Sequence, residues 1–264
     1  MNVMIRALWD YRGFIAGSIK REFQLKYRNS MLGAAWTVLN PLAMIIVYTV
    51  IFSQVMRARL PGTGSTFSYS IYLCAGVLTW GLFAEITGRS RNVFLEHANL
   101  LKKISFPRIC LPVIVVGSAG LNFAIIFTLF TIFLFVSGNF PGWAYLALLP
   151  VLTIQIAFSI GLGMVLGVLN VFFRDVGQLF DVVLQFWFWL TPIVYSSAIL
   201  PKKAQLLISI NPMARLAIAY QTIVLSGTGP DWISLWPVVF LAAFLCIWGT
   251  RLFRLHAGEM VDEL

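Results

Sequence analysis

Ser30 to Met56 contains no Asp, Glu, Lys or Arg, and neither does Leu60 to Ala84. A longer uncharged region lies between Arg108 and Arg174, broken at SGNFPGW (137–143), where Gly, Asn and Pro make a turn. Two further apolar runs follow, VVLQFWFWLTPIVYSSAI (182–199) and WISLWPVVFLAAFLCIWGT (232–250). Uncharged apolar runs of about 18 residues or more are the mark of helices that cross a lipid bilayer. A membrane β-barrel would show short alternating segments instead. The chain is 59% hydrophobic and 11% charged, with a mean hydropathy of +0.86, so too few polar side chains remain to cover a water-facing surface. The prediction is an all-α integral membrane domain over 1–264. Its six transmembrane helices fall at 34–56, 67–87, 110–136, 144–172, 178–199 and 232–251, with a cytoplasmic loop at 88–109 and an external segment at 200–231.

Basic residues stay on the cytoplasmic side of membrane proteins. With the N-terminus inside, cytoplasmic segments hold 14 of the 19 Lys and Arg residues, and external segments hold Arg57, Arg59, Lys202, Lys203 and Arg215. Both termini are therefore expected in the cytoplasm. Topology then accounts for most of the net charge of +9, with no need of a nucleic-acid partner. Ahead of the first span, GFIAGSIKREFQLKYRNSM (13–31) places Ile19, Phe23 and Tyr27 on one helical side. Arg21, Gln24 and Arg28 fall on a roughly opposite one. That spacing predicts an amphipathic helix lying in the membrane interface. A plain positive-inside flank would carry the same charges without the periodicity. In the external segment, the uncharged run Leu216 to Pro230 is short for a span. Two short helices re-entering from outside, joined near Asn211-Pro212, fit it better.

Soluble-type active-site signals are missing. His97 and His256 have no metal-ligand partner at useful spacing, and no lysine is followed by Ser or Thr as a phosphate-binding loop requires. No metal site is expected. Cys74, Cys110 and Cys246 fall in or beside apolar spans and read as small core fillers. Polar residues inside a membrane are costly and default to functional suspects. Here they are Asn40, Gln54, Glu85, Asn122, Gln155, Asn170, Asp181 and Gln185. Glu85 and Asp181 sit near cytoplasmic span ends, close to Arg89 and to Arg174-Asp175, and read as members of structural ion pairs. A proton relay would want its carboxylates nearer the midplane. The aromatic concentration FWFWL (186–190) has two readings, an interfacial belt or the wall of a path over which sugar rings slide.

Four motifs occur in order: GAAWTVLNPL (33–42), NLLKKISFPRICLP (99–112), NVFFRDVGQLFDVVLQFWFWLTPIVY (170–195) and NPMARL (211–216). Together they resemble the permease subunit of bacterial ABC-2 polysaccharide exporters, over about residues 15 to 254. The resemblance implies a bacterial inner-membrane homodimer served by two copies of an ATPase that binds ATP and Mg, with no cofactor in this chain. Its cargo would be a lipid-linked polysaccharide. It implies a coupling helix in the loop after span two, here Glu96, His97, Leu100, Leu101, Lys102, Lys103, Ile104 and Pro107. Leu100, Leu101 and Ile104 would be its apolar knobs. It implies a dimer pore lined by spans one and five, giving Trp36, Tyr48, Phe52, Phe186, Trp187, Trp189 and Tyr195 as glycan-path candidates. Trp187 and Tyr195 would form the same-side pair. It places Arg21, Lys26 and Arg28 near an entering pyrophosphate headgroup and makes 200–231 an external gate. The expected function is export of undecaprenyl-pyrophosphate-linked O-antigen, with the chain itself no enzyme. Teichoic-acid or capsule-like glycan export and small-molecule drug export remain open alternatives. An ion-coupled carrier lacks both its midplane carboxylates and an inverted repeat.

Overall fold

A computed structural model of the chain describes residues 8–27, 35–51, 67–98, 108–197 and 200–263, with Lys26, Tyr27, Val261 and Asp262 described by their backbone alone. All regular structure among the described residues is helical: α1 (Arg12–Tyr27), α2 (Trp36–Thr49), α3 (Ser68–Glu96), α4 (Cys110–Val136), a 3-10 turn (Gly142–Ala147) leading into α5 (Leu148–Phe172), α6 (Asp175–Trp189), α7 (Lys202–Ile210), α8 (Pro212–Ser226), α9 (Trp232–His256) and α10 (Glu259–Glu263). Four of these are long and apolar enough to cross a membrane: α3, α4, the Gly142–Phe172 unit and α9. The first and fifth expected spans appear as shorter helices, α2 with 14 residues and α6 with 15. At 1.5 Å per residue α6 covers roughly 22 Å, less than the ~30 Å of a hydrocarbon core.

The bundle is built around α3, which packs against α4, α5 and α8, while α9 lies along α5. Its burial is eased because several of its polar side chains find partners inside. Thr79 and Thr87 donate to the carbonyls of Ala75 and Phe83 on the same helix, and Gln155 of α5 donates to the Thr79 carbonyl at 2.6 Å. Close approach of α5 to its neighbours depends on missing side chains. A Cβ on Gly161 would stand 2.8 Å from the Cys246 backbone nitrogen, one on Gly163 2.5 Å from Ser90 Cβ, and one on Gly167 2.7 Å from the Ser90 carbonyl. Lipid supplies no hydrophobic drive between helices, so small residues that let backbones meet hold such bundles together. Phe83 and Phe158 stack beside this seam at 5.6 Å. The turn between α4 and α5 is made where Gly138 and Gly142 take positive φ, which side-chain-bearing residues rarely adopt.

α3 continues to Glu96, past the expected span end at 87, so the first part of the expected cytoplasmic loop is helical. Arg89 and Arg91 cause no break because both are paired (below). Span five ends earlier than 199: α6 stops at Trp189, and Thr191, Pro192 and Ile193 are tucked into the bundle as irregular backbone. Non-helical backbone at membrane depth is tolerated only when protein covers it. Here Tyr72 Oη donates to the carbonyls of Pro192 and Tyr195, Tyr69 Oη donates to that of Val194, and Gln221 Nε2 adds a bond to Pro192.

Asn211 joins this region to α7 and α8. Its Oδ1 caps α8 by accepting from the Met213 and Ala214 amides, and also accepts from Trp187 Nε1 at 2.8 Å. Its Nδ2 donates to the Leu190 carbonyl and to Thr191 Oγ1. α8 is largely buried against α3, whereas α7 has no buried residue.

Candidate functional site

α6 exposes two different faces. Residues three, four and seven apart share one side of a helix, and on this basis Arg174, Gln178, Asp181, Gln185 and Trp189 form one exposed stripe within a sector of about 80°. Beside it lies an apolar wall, Val182, Val183, Phe186 and Leu190, which together with Leu207 and Ile210 of α7 borders an open groove. The inward face carries Gly177, Phe180 and Trp187. A Gln-Asp-Gln series is costly against hydrocarbon, and membrane helices turn such residues to a protein interior or a water-filled cavity. Gln185 lies ten residues from the start of α6, roughly 15 Å along its axis.

The stripe is held from behind by α3. Arg91, only 9% exposed, makes a two-pronged pair with Asp181, Nη1 to Oδ1 at 2.7 Å and Nη2 to Oδ2 at 2.8 Å. Nη1 also donates to the Gly177 carbonyl. Buried Asn170 of α5 completes the node by donating to the Arg91 carbonyl and to Asn92 Oδ1. Parallel guanidinium–carboxylate bonds fix orientation as well as distance. Asp181 is thus locked to α3 while its side chain stays 61% exposed on the stripe. A polar pocket lined by Arg91, Asn92, Asn170, Arg174 and Gln178 opens beside it near the N-terminal end of α6.

A second polar cluster fastens α1 to the bundle. Arg89 pairs with Glu22 at 2.5 Å and approaches Glu85 at 4.0 Å. Ser118 donates to Glu22, and Asn122 donates to Glu85. Ile19 fits against Gly117, where any Cβ would collide with it. Arg21 points outward and bonds Ser18. The side chain of Lys26, and Arg28 altogether, lie outside the described residues.

The expected ion pairs are placed differently from the sequence reading in one respect. Asp181 pairs with Arg91, not Arg174, because Arg91 reaches it from the neighbouring helix while Arg174 begins the same helix and points out. Arg174 and Asp175 form no ion pair among the described residues. Asp175 stands in the first turn of α6, where a negative charge suits the helix dipole.

The aromatic candidates divide. Trp36, Phe186 and Trp189 are exposed, and Tyr48 and Tyr195 are half-buried. Trp187 packs inward against Trp80, Phe83 and Phe158. The expected pairing of Trp187 with Tyr195 on one outer side is therefore reversed at Trp187: Trp189, 62% exposed, is the outward member. On α2, Trp36, Asn40, Ala43 and Val47 share one exposed side, roughly 90–130° round the helix from buried Thr37 and Pro41, and Leu39, Leu42 and Ile46 are exposed opposite that buried pair. Phe52 lies outside the described residues. So do Leu100, Leu101, Lys102, Lys103, Ile104 and Pro107 of the coupling element. Glu96 is exposed at the end of α3, and His97 Nδ1 contacts the Val93 carbonyl. Among the described residues no group of three or more His, Cys, Asp or Glu could hold a metal ion.

Sequence reasoning missed Glu22, Arg91, Gln178 and Asn211. Glu22 had a signal, as the one carboxylate in a basic helix. Gln178 had one too, seven residues before Gln185.

Comparison with known proteins bears on what such a bundle is for. The family model described as ABC-2 type transporter matches residues 15–225. An O-antigen export system permease protein RfbA of Klebsiella pneumoniae is 31% identical over 236 residues, 89% of this chain and 88% of the relative. Its namesake from Myxococcus xanthus is 30% identical over 263 residues, 99% of both chains. The polysialic acid transport protein KpsM of Escherichia coli is more distant, 19% identical over 244 residues. A helical membrane bundle matched over most of its length by these permeases is a transport subunit and not an enzyme, and the chain belongs to the ABC-2 type transporter family, whose permeases work with an ATPase subunit.

Proposed function

We propose that the chain is the membrane-spanning subunit of an ATP-driven exporter that moves an O-antigen polysaccharide, linked to undecaprenyl pyrophosphate, across a bacterial inner membrane. Two copies would pair through α2 and α6 and enclose the path, with two ATPase subunits bound at the cytoplasmic side and both termini on that side. One observation carries this reading. α6 presents Gln178, Asp181, Gln185 and Trp189 outward on one side; within a membrane that face would be costly against lipid and would suit a hydrated polymer. Full-length similarity to permeases named for O-antigen export supplies the cargo.

The remaining assignments follow from the same architecture. The 96–107 element would dock into the ATPase and drive α3. Arg21, Lys26 and Arg28 would meet the pyrophosphate headgroup at the inner interface. α7 and α8 would gate the external end, with Trp36, Tyr48, Phe52, Phe186, Trp189 and Tyr195 bordering the route. A capsule-like cargo is the second reading, supported by the more distant polysialic acid transport proteins.

Deleting the permease in the bacterium that carries it tests the proposal. Surface O-antigen should vanish while lipid-linked polymer accumulates in the inner membrane, and re-expression should restore display. Unchanged surface polymer in the deletion strain would overturn it.

A further inference from the structure

The outward stripe of α6 also has a charge pattern. Between Gln178 and Trp189 its polar groups are two amides and one carboxylate, and the charge of that carboxylate is matched by Arg91 behind it. α2 carries no charged residue anywhere along its length, so its exposed side offers Trp36 and Asn40 alone as polar or aromatic groups. Among the described residues, Arg174 at the cytoplasmic end is the one cation on the α6 stripe, and Lys202 and Lys203 stand at the external start of α7. The membrane-depth part of the two faces is therefore neutral overall and rich in amides.

Such a surface is chemically selective. A primary amide both donates and accepts, so Gln178 and Gln185 can each bridge hydroxyls of either polarity. As a carboxylate Asp181 can only accept, and the two-pronged bond from Arg91 keeps its oxygens fixed while leaving lone pairs free on the exposed side. The three rungs lie on one helical side over roughly 10 Å, with Trp189 one turn beyond Gln185 to receive the C–H face of a ring. Hydroxyl groups match every rung. A chain of carboxylates is matched less well: the amides can donate to it, but between Gln178 and Trp189 it meets a fixed carboxylate, no cation on the stripe to offset its own charge, and a low-dielectric wall that makes like-charge repulsion large.

We propose that Gln178, Asp181 and Gln185 form a hydroxyl-binding ladder that makes this path selective for an uncharged, polyhydroxylated chain over a polyanionic one. The inference rests on the exporter reading above and adds to it the class of polymer. It sets this chain apart from relatives named for transport of polysialic acid, an acidic polymer.

The test uses cells that carry the partner ATPase, lack the chromosomal permease, and assemble either a neutral hexose polymer or one with a uronic acid in each repeat on the same lipid carrier. With the wild-type permease, surface display of the neutral polymer should exceed that of the acidic one by about tenfold, the effect of losing one or two well-made hydrogen bonds. Gln178→Leu with Gln185→Leu should lower neutral display about tenfold without raising the acidic polymer. Gln178→Lys with Gln185→Lys should reverse the preference. Co-purification with the ATPase confirms that each variant is assembled. Equal wild-type display of both polymers, or a lysine variant with an unchanged ratio, overturns the ladder. A wild-type permease that restores neither polymer to the surface instead overturns the exporter reading itself.

Discussion

Trp187 and Trp189 are two residues apart and have opposite fates. About 200° of rotation separates them: one ring packs edge-on to Phe83 and bonds Asn211, while the other faces outward. Trp187→Ala should therefore cost about 3 kcal/mol of stability, as large-to-small changes at packed aromatic sites do, and lower the thermal unfolding midpoint in detergent. Trp189→Ala should leave that midpoint within the scatter of surface substitutions and slow export instead. The sequence shows that the two cannot share a side, but not which one turns inward. That choice is made by Asn211, more than twenty residues downstream, whose amide reaches back to α6. The same limit hid Arg91. Its spacing from Arg89 puts the two arginines on different sides of α3, yet their partners, Asp181 and Glu22, come from helices far away in sequence.

Hydrophobic run length makes the four long helices of the core readable from sequence, because each buries its own backbone polar groups. The two helices assigned to the path are harder to read for the same reason. α6 is amphipathic and ends early at Thr191-Pro192, where tyrosines and Gln221 from other helices satisfy the freed carbonyls, so run length overstates its extent. Packing between elements depends on α5, whose glycines let α3 and α9 approach. Gly163→Leu would drive a side chain into Ser90 of α3. Overfilling a closed seam costs about 1–3 kcal/mol or more, so this variant should show reduced yield and a lowered unfolding midpoint, even though leucine is a better helix former than glycine. A midpoint equal to wild type would mean that α3 and α5 are not closely packed.

At the scale of the whole molecule, α3 links three regions. Its C-terminal end leads into the 96–107 element, Arg89 ties it to α1, and Arg91 ties it to the stripe on α6. A push on the 96–107 element would thus reach the polar face of α6 through Arg91. Leu100 and Leu101 are apolar residues in a segment otherwise marked by Lys102 and Lys103, a pattern that fits a docking surface. Leu100→Asp with Leu101→Asp should preserve membrane insertion and abolish export. It should also release the ATPase on purification, since an unpaired charge desolvated at an interface costs several kcal/mol. Retention of the ATPase at wild-type levels would place the docking surface elsewhere.

A polar translocation path along α6 requires water to reach its stripe and not the helix side that carries Leu179 and Val183. In a permease freed of Cys74, Cys110 and Cys246, single cysteines placed along α6 can be probed in native membranes with a membrane-impermeant thiol reagent. The expected pattern is helical. Positions 178, 181, 185 and 189 should react and be protected by transported polymer, whereas 179 and 183 should stay unreactive. An unreactive position 185, or equal reaction around the whole helix, would contradict a polar translocation path along α6.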